Sequence, residues 1–286
     1  MKTVLLLCIL IAVSAENEPE KPECDGIHVR GKFHKKEVLG RGLNRPYQLG
    51  LLRHSHKIFF SFNVGSDEED TFKIGFIEKN HTSHQVLEDV ENGFALAVDD
   101  ENHVAYFGGS SGIYRYHDHP DNKEHKVTKI LHDHNIWDMF YKKQLYFITF
   151  PKQHLYKLDV HKDGSKPERV KDIHEEIYQF AIDGDNDKFI TNETGLFRIK
   201  SGSKLRVHYK GETVFRAIEI NNKEEAFFSG KHCISVADKK KHELEEIAHV
   251  KNIFGLAFDH EDNIIYSDPH EIIRLLPAEC EKKPPK

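Results

Sequence analysis

Beyond its first residues the chain has no long apolar run and no helical periodicity of apolar positions. It is also poor in sulfur, with 4 Cys and 2 Met among 286 residues. A bilayer-spanning helix needs about 18 or more consecutive apolar residues. No stretch after Val13 approaches that, so membrane insertion is not expected. A basic excess is missing too, since 41 Lys and Arg stand against 47 Asp and Glu for a formal net charge of -6. Phosphate backbones are recognised by basic stripes, so nucleic acid is not an expected partner. A nucleophile elbow, a zincin helix and a Gly-rich phosphate loop are all absent, which removes the common hydrolase and nucleotide signatures.

What is present begins with a leader. Lys2, the apolar run from Val4 to Val13 and the small residues Ser14 and Ala15 read as a secretory signal with its cleavage site. The mature chain is expected to start at Glu16 and to be secreted and soluble. Histidine is abundant, with 21 residues mostly in polar turn sequence. Its bland role is surface solubility and buffering. Three doublets, His54 with His56, His117 with His119 and His132 with His134, place imidazoles two apart. On a strand that spacing could chelate zinc or copper. Each doublet falls at a strand end or turn without a third ligand nearby, so no metal is expected.

The strongest signal is a motif that returns six times, an aromatic leading a short apolar strand. The copies begin at Tyr47, Phe94, Trp137, Tyr178, Phe215 and Phe254, at intervals of 47, 43, 41, 37 and 39 residues. Repeats of that length built from short strands are the signature of a β-propeller. The second copy shows the pattern in full: NGFALAVDD, HVAYFGG, GIYRYHD and KVTKILHD, four period-two runs separated by Asp, Asn, Gly and Ser turns. These are strands A to D of one antiparallel sheet. The expected fold is therefore all-β, a six-bladed propeller of four-stranded antiparallel blades.

The sixth copy supplies FGLAFD, NIIYSD and EIIRLL and then runs into a Lys-Pro tail, so it lacks a fourth strand. The segment FHKKEVL at 33 to 39 stands before the first A strand as D strands do elsewhere. Pairing it with the last C strand would close the ring and remove two exposed sheet edges. Cysteine spacing agrees. Once Cys8 leaves with the signal, Cys24 precedes the donated strand and Cys280 follows the last C strand, so a Cys24–Cys280 disulfide is expected. This leaves Cys233 as a buried thiol outside the bond, while a Cys233–Cys280 pairing is the alternative. The resulting divisions are a signal over 1–15, an N-terminal segment over 16–32, one propeller over 33–277 and a tail over 278–286. Asn80 and Asn192 head N-glycosylation sequons in predicted turns, Asn192 on the face where a ligand mouth is expected.

In a propeller the A strands line the axis, and one rim is built from D-to-A and B-to-C turns. The six leading aromatics belong near that rim, followed by the unrepeated neighbours Gln48, Asp138, Gln179 and Arg216. Two readings compete for the aromatics. They are either wedges of core between blades, or faces that sandwich a flat conjugated ligand, oriented by Asp138 and Arg216 through charge. A calcium-dependent lactonase would instead need several oxygen ligands on the axis. The candidates Asn92, Asn135, Asp138, Glu176 and Asn252 are sparse in carboxylate. A protein-docking propeller is a further alternative.

The leader MKTVLLLCILIAVSA together with repeats such as NGFALAVDDENHVAYFGGSSGIYRY and NIFGLAFDHEDNIIYSDPHEIIRLLP resembles the ommochrome-binding proteins of insect haemolymph. The resemblance runs over the whole chain and implies a haemolymph carrier with no catalysis and no cofactor. Its ligand would be a tryptophan-derived ommochrome such as xanthommatin, or a precursor. A planar ring would stack on the aromatics, a carboxylate would meet Arg216 and an amino group would meet Asp138. A monomer is expected.

Overall fold

The computed structural model describes residues 24–66, 69–79, 83–118, 126–211 and 213–280. The signal segment, the Asn80 sequon, His119 and the end of the tail lie outside the described residues. Every element among those described is a strand. Blade 1 runs Leu49–Leu52, Lys57–Asn63, Phe72–Ile77 and Gln85–Leu87 from the axis outward. Blade 2 comprises Ala95–Asp99, Val104–Gly109, Gly112–His117 and Val127–His132, and blade 3 Ile136–Lys142, Gln144–Thr149, Leu155–Leu158 and Glu168–Arg169. Blade 4 comprises Gln179–Ile182, Lys188–Asn192, Gly195–Ile199 and Arg206–Tyr209. Blade 5 follows as Ala217–Ile220, Ala226–Ser229, Cys233–Asp238 and Glu243–His249. Each innermost strand packs against those of both neighbours, the last against the first, so the ring is closed.

Period-two alternation explains how the blades hold together. Successive side chains of a strand point to opposite faces, and here both faces are buried. Ile58, Phe60 and Phe62 feed the interface with blade 6, while Phe59 between them joins Phe107 and Tyr116 of blade 2. The described residues form six apolar clusters, one at each interface between successive blades.

Blade 6 is Leu256–Phe258, Ile264–Ser267 and Ile272–Pro277, and the N-terminal strand Lys32–Gly40 pairs with the last of these, His34 opposite Pro277 and Val38 opposite Ile273. The propeller begins earlier than the expected boundary at residue 33. Gly26–Val29 forms a further strand that pairs with Lys32–Gly40 and touches blade 5 through Val29 opposite Ala248. Its tight turn places Arg30 and Gly31 at φ of 49° and 77°, the sense of backbone twist that suits a two-residue hairpin. Cys24 and Cys280 are joined, with Cα atoms 5.9 Å apart. The bond therefore reaches the start of the outer hairpin strand. Cys233 is half-buried, not buried, and its sulfur lies 3.6 Å from the Ser235 hydroxyl.

The seam between blades 6 and 1 is locked at the rim. Ser267 donates its hydroxyl to the Pro46 carbonyl at 2.7 Å and accepts from the Gly255 N–H at 2.8 Å. A Cβ on Gly255 would lie 2.4 Å from the Tyr47 carbonyl oxygen, so only glycine permits this approach.

Candidate functional site

One backbone hydrogen bond recurs at the head of the blades and sets the rim. The N–H of a residue one or two before the A strand donates to a carbonyl near the end of the B strand: Tyr47 to Ser61, Phe94 to Gly108, Tyr178 to Thr191 and Phe254 to Ser267, at 2.7 to 2.9 Å. In blade 5 the residue making this bond to Ser229 is Arg216, at 2.8 Å. Sequence alignment of the repeats places Phe215 in the ring and Arg216 beside it. The structure puts the guanidinium in register with the aromatics, its Cζ 5.5 Å from the Phe254 ring centroid. In blade 3 the ladder is irregular between Ile136 and Asp138, and Trp137 stands inside the strand.

All six leading aromatics line one cavity of about 570 Å³ at the mouth of the channel. Each is half-buried, unlike core rings such as Phe59 and Phe107 at 0% exposure. Edge and tilted contacts link them: Tyr47 lies 5.0 Å from Phe254 and 5.5 Å from Phe94, and Phe94 lies 5.7 Å from Trp137. Trp137 is pinned by its indole N–H, which donates to the Tyr178 carbonyl at 2.9 Å.

Two further rings belong here that the repeat did not reveal. Phe72, at the start of a C strand, packs 4.8 Å from Phe94, and Phe150, after a B strand, stacks 5.9 Å from Trp137. Both come from B-to-C turns, the other source of the rim, and that rule could have flagged them. Asn92 holds Phe72 in place by accepting its N–H at 2.8 Å. Of the four exposed large apolar residues among those described, Val64, Phe150 and Val214 stand on mouth-side turns and Leu205 does not.

Gln48 and Gln179 floor the mouth and also line a second chamber of about 500 Å³ that opens among the A-to-B turns. Asp138 lies in this lower chamber and is not part of the mouth lining. Gln48 donates to it at 3.2 Å. Burial pushes its carboxyl up to about 8, against hydrogen bonds from the backbone of Phe180 and Met139 and from Gln48. Glu219 across the chamber is also pushed up to about 8, by burial and then by the charge of Asp138. At neutral pH both are chiefly protonated, so the expected attraction of Asp138 for an amino group through a standing charge is corrected. Desolvation disfavours the ionised form more than the available donors favour it.

Charge at the mouth reduces to one free sign. Asp70 is engaged by Arg45 at 3.3 Å and by Asn63, leaving the exposed Arg216 as the cation of the lining. The lactonase candidates do not assemble: Asn92 and Asn135 line the mouth, Asp138 lies below it, and Glu176 and Asn252 line neither chamber. Of these five, Asp138 is the one carboxyl that lines either chamber, whereas a hard dication favours several oxygen ligands. Among the described residues, only Asp183, Asp185 and Asp187 cluster closely enough to share a cation, and Lys239 already sits among all three. The histidine doublets are dispersed. His54 lies tilted against His103 at 3.7 Å between ring centroids, His56 meets His260, and His134 meets Phe147. Asn192 ends a B strand on the mouth side, where its side-chain oxygen accepts the Thr194 N–H at 2.8 Å.

No protein-family model matches the chain. The ommochrome-binding protein of Manduca sexta is 30% identical over 281 residues, spanning 96% of this chain and 98% of that protein. The chain belongs to the ommochrome-binding protein family. Solved structures extend the likeness in fold alone. A gluconolactonase from Xanthomonas campestris superposes with a TM-score of 0.67 at 12% identity, covering 91% of this chain and 99% of its own. A virginiamycin B lyase from Staphylococcus aureus gives 0.56 at 12% identity, over 85% and 99%. The WD40 propeller domain of Doa1 gives 0.55 at 12% identity, over 87% and 96%. Propellers thus carry quite different chemistries, and the site distinguishes them. In this ommochrome-binding family member the mouth is walled by eight aromatic rings and one arginine.

Proposed function

We propose that the chain is a secreted haemolymph carrier that binds an ommochrome-type pigment, such as xanthommatin or a precursor, non-covalently at the channel mouth and catalyses no reaction. The observation that carries this reading is the cavity of about 570 Å³ lined by half-buried rings, in a chain of the ommochrome-binding family. That volume lies within the range of about 300 to 1,000 Å³ typical of small-molecule pockets. Half-buried rings keep apolar area that a planar ligand would cover, and stacking adds about 0.5 to 1.5 kcal/mol per ring pair beyond burial. Arg216, backed by the Phe254 face, suits a carboxylate. The pigment acts as ligand, and no cofactor enters the proposal.

Secretion rests on the leader, and the Cys24–Cys280 bond accords with an oxidising compartment. Asn80 and Asn192 are proposed glycan sites on the same ground.

Trp137 is the sole tryptophan, and it lies in the mouth, so its fluorescence reports occupancy directly. Titration with xanthommatin is expected to quench it to saturation at one pigment per chain. A flat titration would sink the proposal. Arg216→Ala is expected to weaken a carboxylated pigment by about 1.5 to 3 kcal/mol, the range for hydrogen bonds to charged groups. The effect should vanish for the pigment's methyl ester, and equal losses for acid and ester would remove Arg216 from carboxylate recognition.

A further inference from the structure

The floor of the mouth says which end of a ligand goes in. Gln48 and Gln179 separate the two chambers, and both amides are already held. Gln48 donates to Asp138, and Gln179 accepts the Thr191 hydroxyl in a buried bond of 3.1 Å. What remains for a ligand is the Gln48 carbonyl as acceptor and the Gln179 amide N–H groups as donors. Below them the cations of the pore wall are paired with anions of other blades. Arg53 of blade 1 is taken by Asp100 of blade 2 at 3.1 Å. Lys142, on the strand of Asp138, is taken by Glu224 at 3.4 Å and by the Asp183 carbonyl. Asp99 of blade 2 is engaged by Asn102 at 2.8 Å, while Glu219 of blade 5 faces Asp138 as a second acid. Blades 4 and 6 bring no charged group to this chamber. Lys143 and Glu101 stand exposed at its outer opening.

We propose that the pigment seats an uncharged, hydrogen-bonding edge on the Gln48–Asp138–Gln179 floor and keeps its carboxylate at Arg216 on the rim. This rests on the pigment reading above and adds the ligand's orientation and the class it selects. That class is flat aromatic acids with a keto, phenolic or ring N–H edge opposite the acid. An anionic edge would face two enclosed acids, with Arg53 and Lys142 already paired to Asp100 and Glu224. A cationic edge would first have to strip a proton from one of them.

The two orientations predict opposite pH dependence. With a neutral edge on the floor, ionising Asp138 places a negative charge beneath an anionic ligand, so binding weakens as pH rises. With an ammonium on the floor, ionisation supplies the counter-charge and binding tightens. The experiment is xanthommatin titration by Trp137 quenching from pH 6.5 to 9, on wild-type protein and Asp138→Asn. Comparing the two cancels the pigment's own titration. The wild-type Kd is expected to rise about tenfold more than that of the variant between pH 7 and pH 9, given a carboxyl near 8. Asp138→Asn itself is expected to bind a few-fold more weakly at pH 7. The proposal is overturned by parallel pH profiles or by wild-type binding that tightens with pH. Absence of any quenching in wild-type protein would remove the pigment reading itself, and this orientation with it.

Discussion

Replacing Cys24 and Cys280 with serine is expected to destabilise the fold by about 5 to 6 kcal/mol, the chain-entropy value for a loop of this size. The crosslink joins residues 256 apart in sequence and so encloses nearly the whole chain. In a protein this large each kcal/mol moves the melting temperature by about 2 to 4 °C, so a drop on the order of 10 °C or more is expected. The bond matters beyond its entropy because it fastens the one place where the ring is not covalently continuous. The last blade is completed by Lys32–Gly40, whose partner strand Ile272–Pro277 lies at the other end of the chain. If the seam opened, Gly255 would move from Tyr47 and the Tyr47–Phe254 contact at 5.0 Å would separate. Pigment binding should therefore fall together with stability in the serine variant. Thermal melts with and without reductant measure the effect. Curves that coincide within about 2 °C would show that strand pairing alone closes the ring.

The second large effect is expected at Lys57 and Asp118, which join blade 1 to blade 2. Lys57 is 5% exposed, yet its ammonium meets the Tyr116 hydroxyl at 2.7 Å and the Asp118 carboxylate at 3.0 Å. The ammonium also lies 5.3 Å and 5.2 Å from the faces of Phe76 and Tyr116. Asp118→Ala would leave that charge enclosed with only a hydroxyl and the half-exposed Glu78 at 3.7 Å. Removing one partner of a buried pair costs about 3 to 5 kcal/mol, chiefly because the other stays desolvated. The double variant Lys57→Met with Asp118→Leu is expected to recover most of the loss, since replacing both partners with apolar groups is often near neutral. Urea denaturation of the set provides the test, and a single variant within about 1 kcal/mol of wild type would show that water reaches the pair.

The pH behaviour of this pair follows from the same contacts. Burial alone would raise the Asp118 carboxyl, but hydrogen bonds from Ser55, Lys57 and Tyr116 hold it below the usual aspartate range. Its contribution is therefore complete above that range and is lost as pH falls through the depressed value. Burial likewise lowers Lys57, and its bonds to Tyr116 and Asp118 more than compensate, leaving it raised. That part is present below the ordinary lysine range and lost as pH rises through the raised value, so the bridge is intact across neutrality.

Much of the architecture is legible in the residues because it depends on local alternation. A period-two apolar run is buried on both faces whichever blades flank it, so NGFALAVDD and its counterparts announce strands without knowledge of their neighbours. The aromatic heads are legible for the same reason, since each sits at a fixed offset from its own strand. Phe72 and Phe150 escape notice because they belong to B-to-C turns, whose lengths differ from blade to blade. Gly26–Val29 escapes because a four-residue strand with one apolar face declares itself only beside its hairpin partner.

What the sequence determined by itself is the number of blades, the borrowing of an N-terminal strand to finish the last one, and the set of rings available to a mouth. All three follow from repeat spacing and strand period, which act over a few residues. Only the tertiary structure decided that Arg216 and not Phe215 takes the ring position, because one backbone bond to Ser229 chooses between neighbouring residues. It also decided that Asp138 is a protonated group under the floor and not a charge within the mouth. The cause is desolvation by six converging strands, a property of the assembled channel and of no single residue.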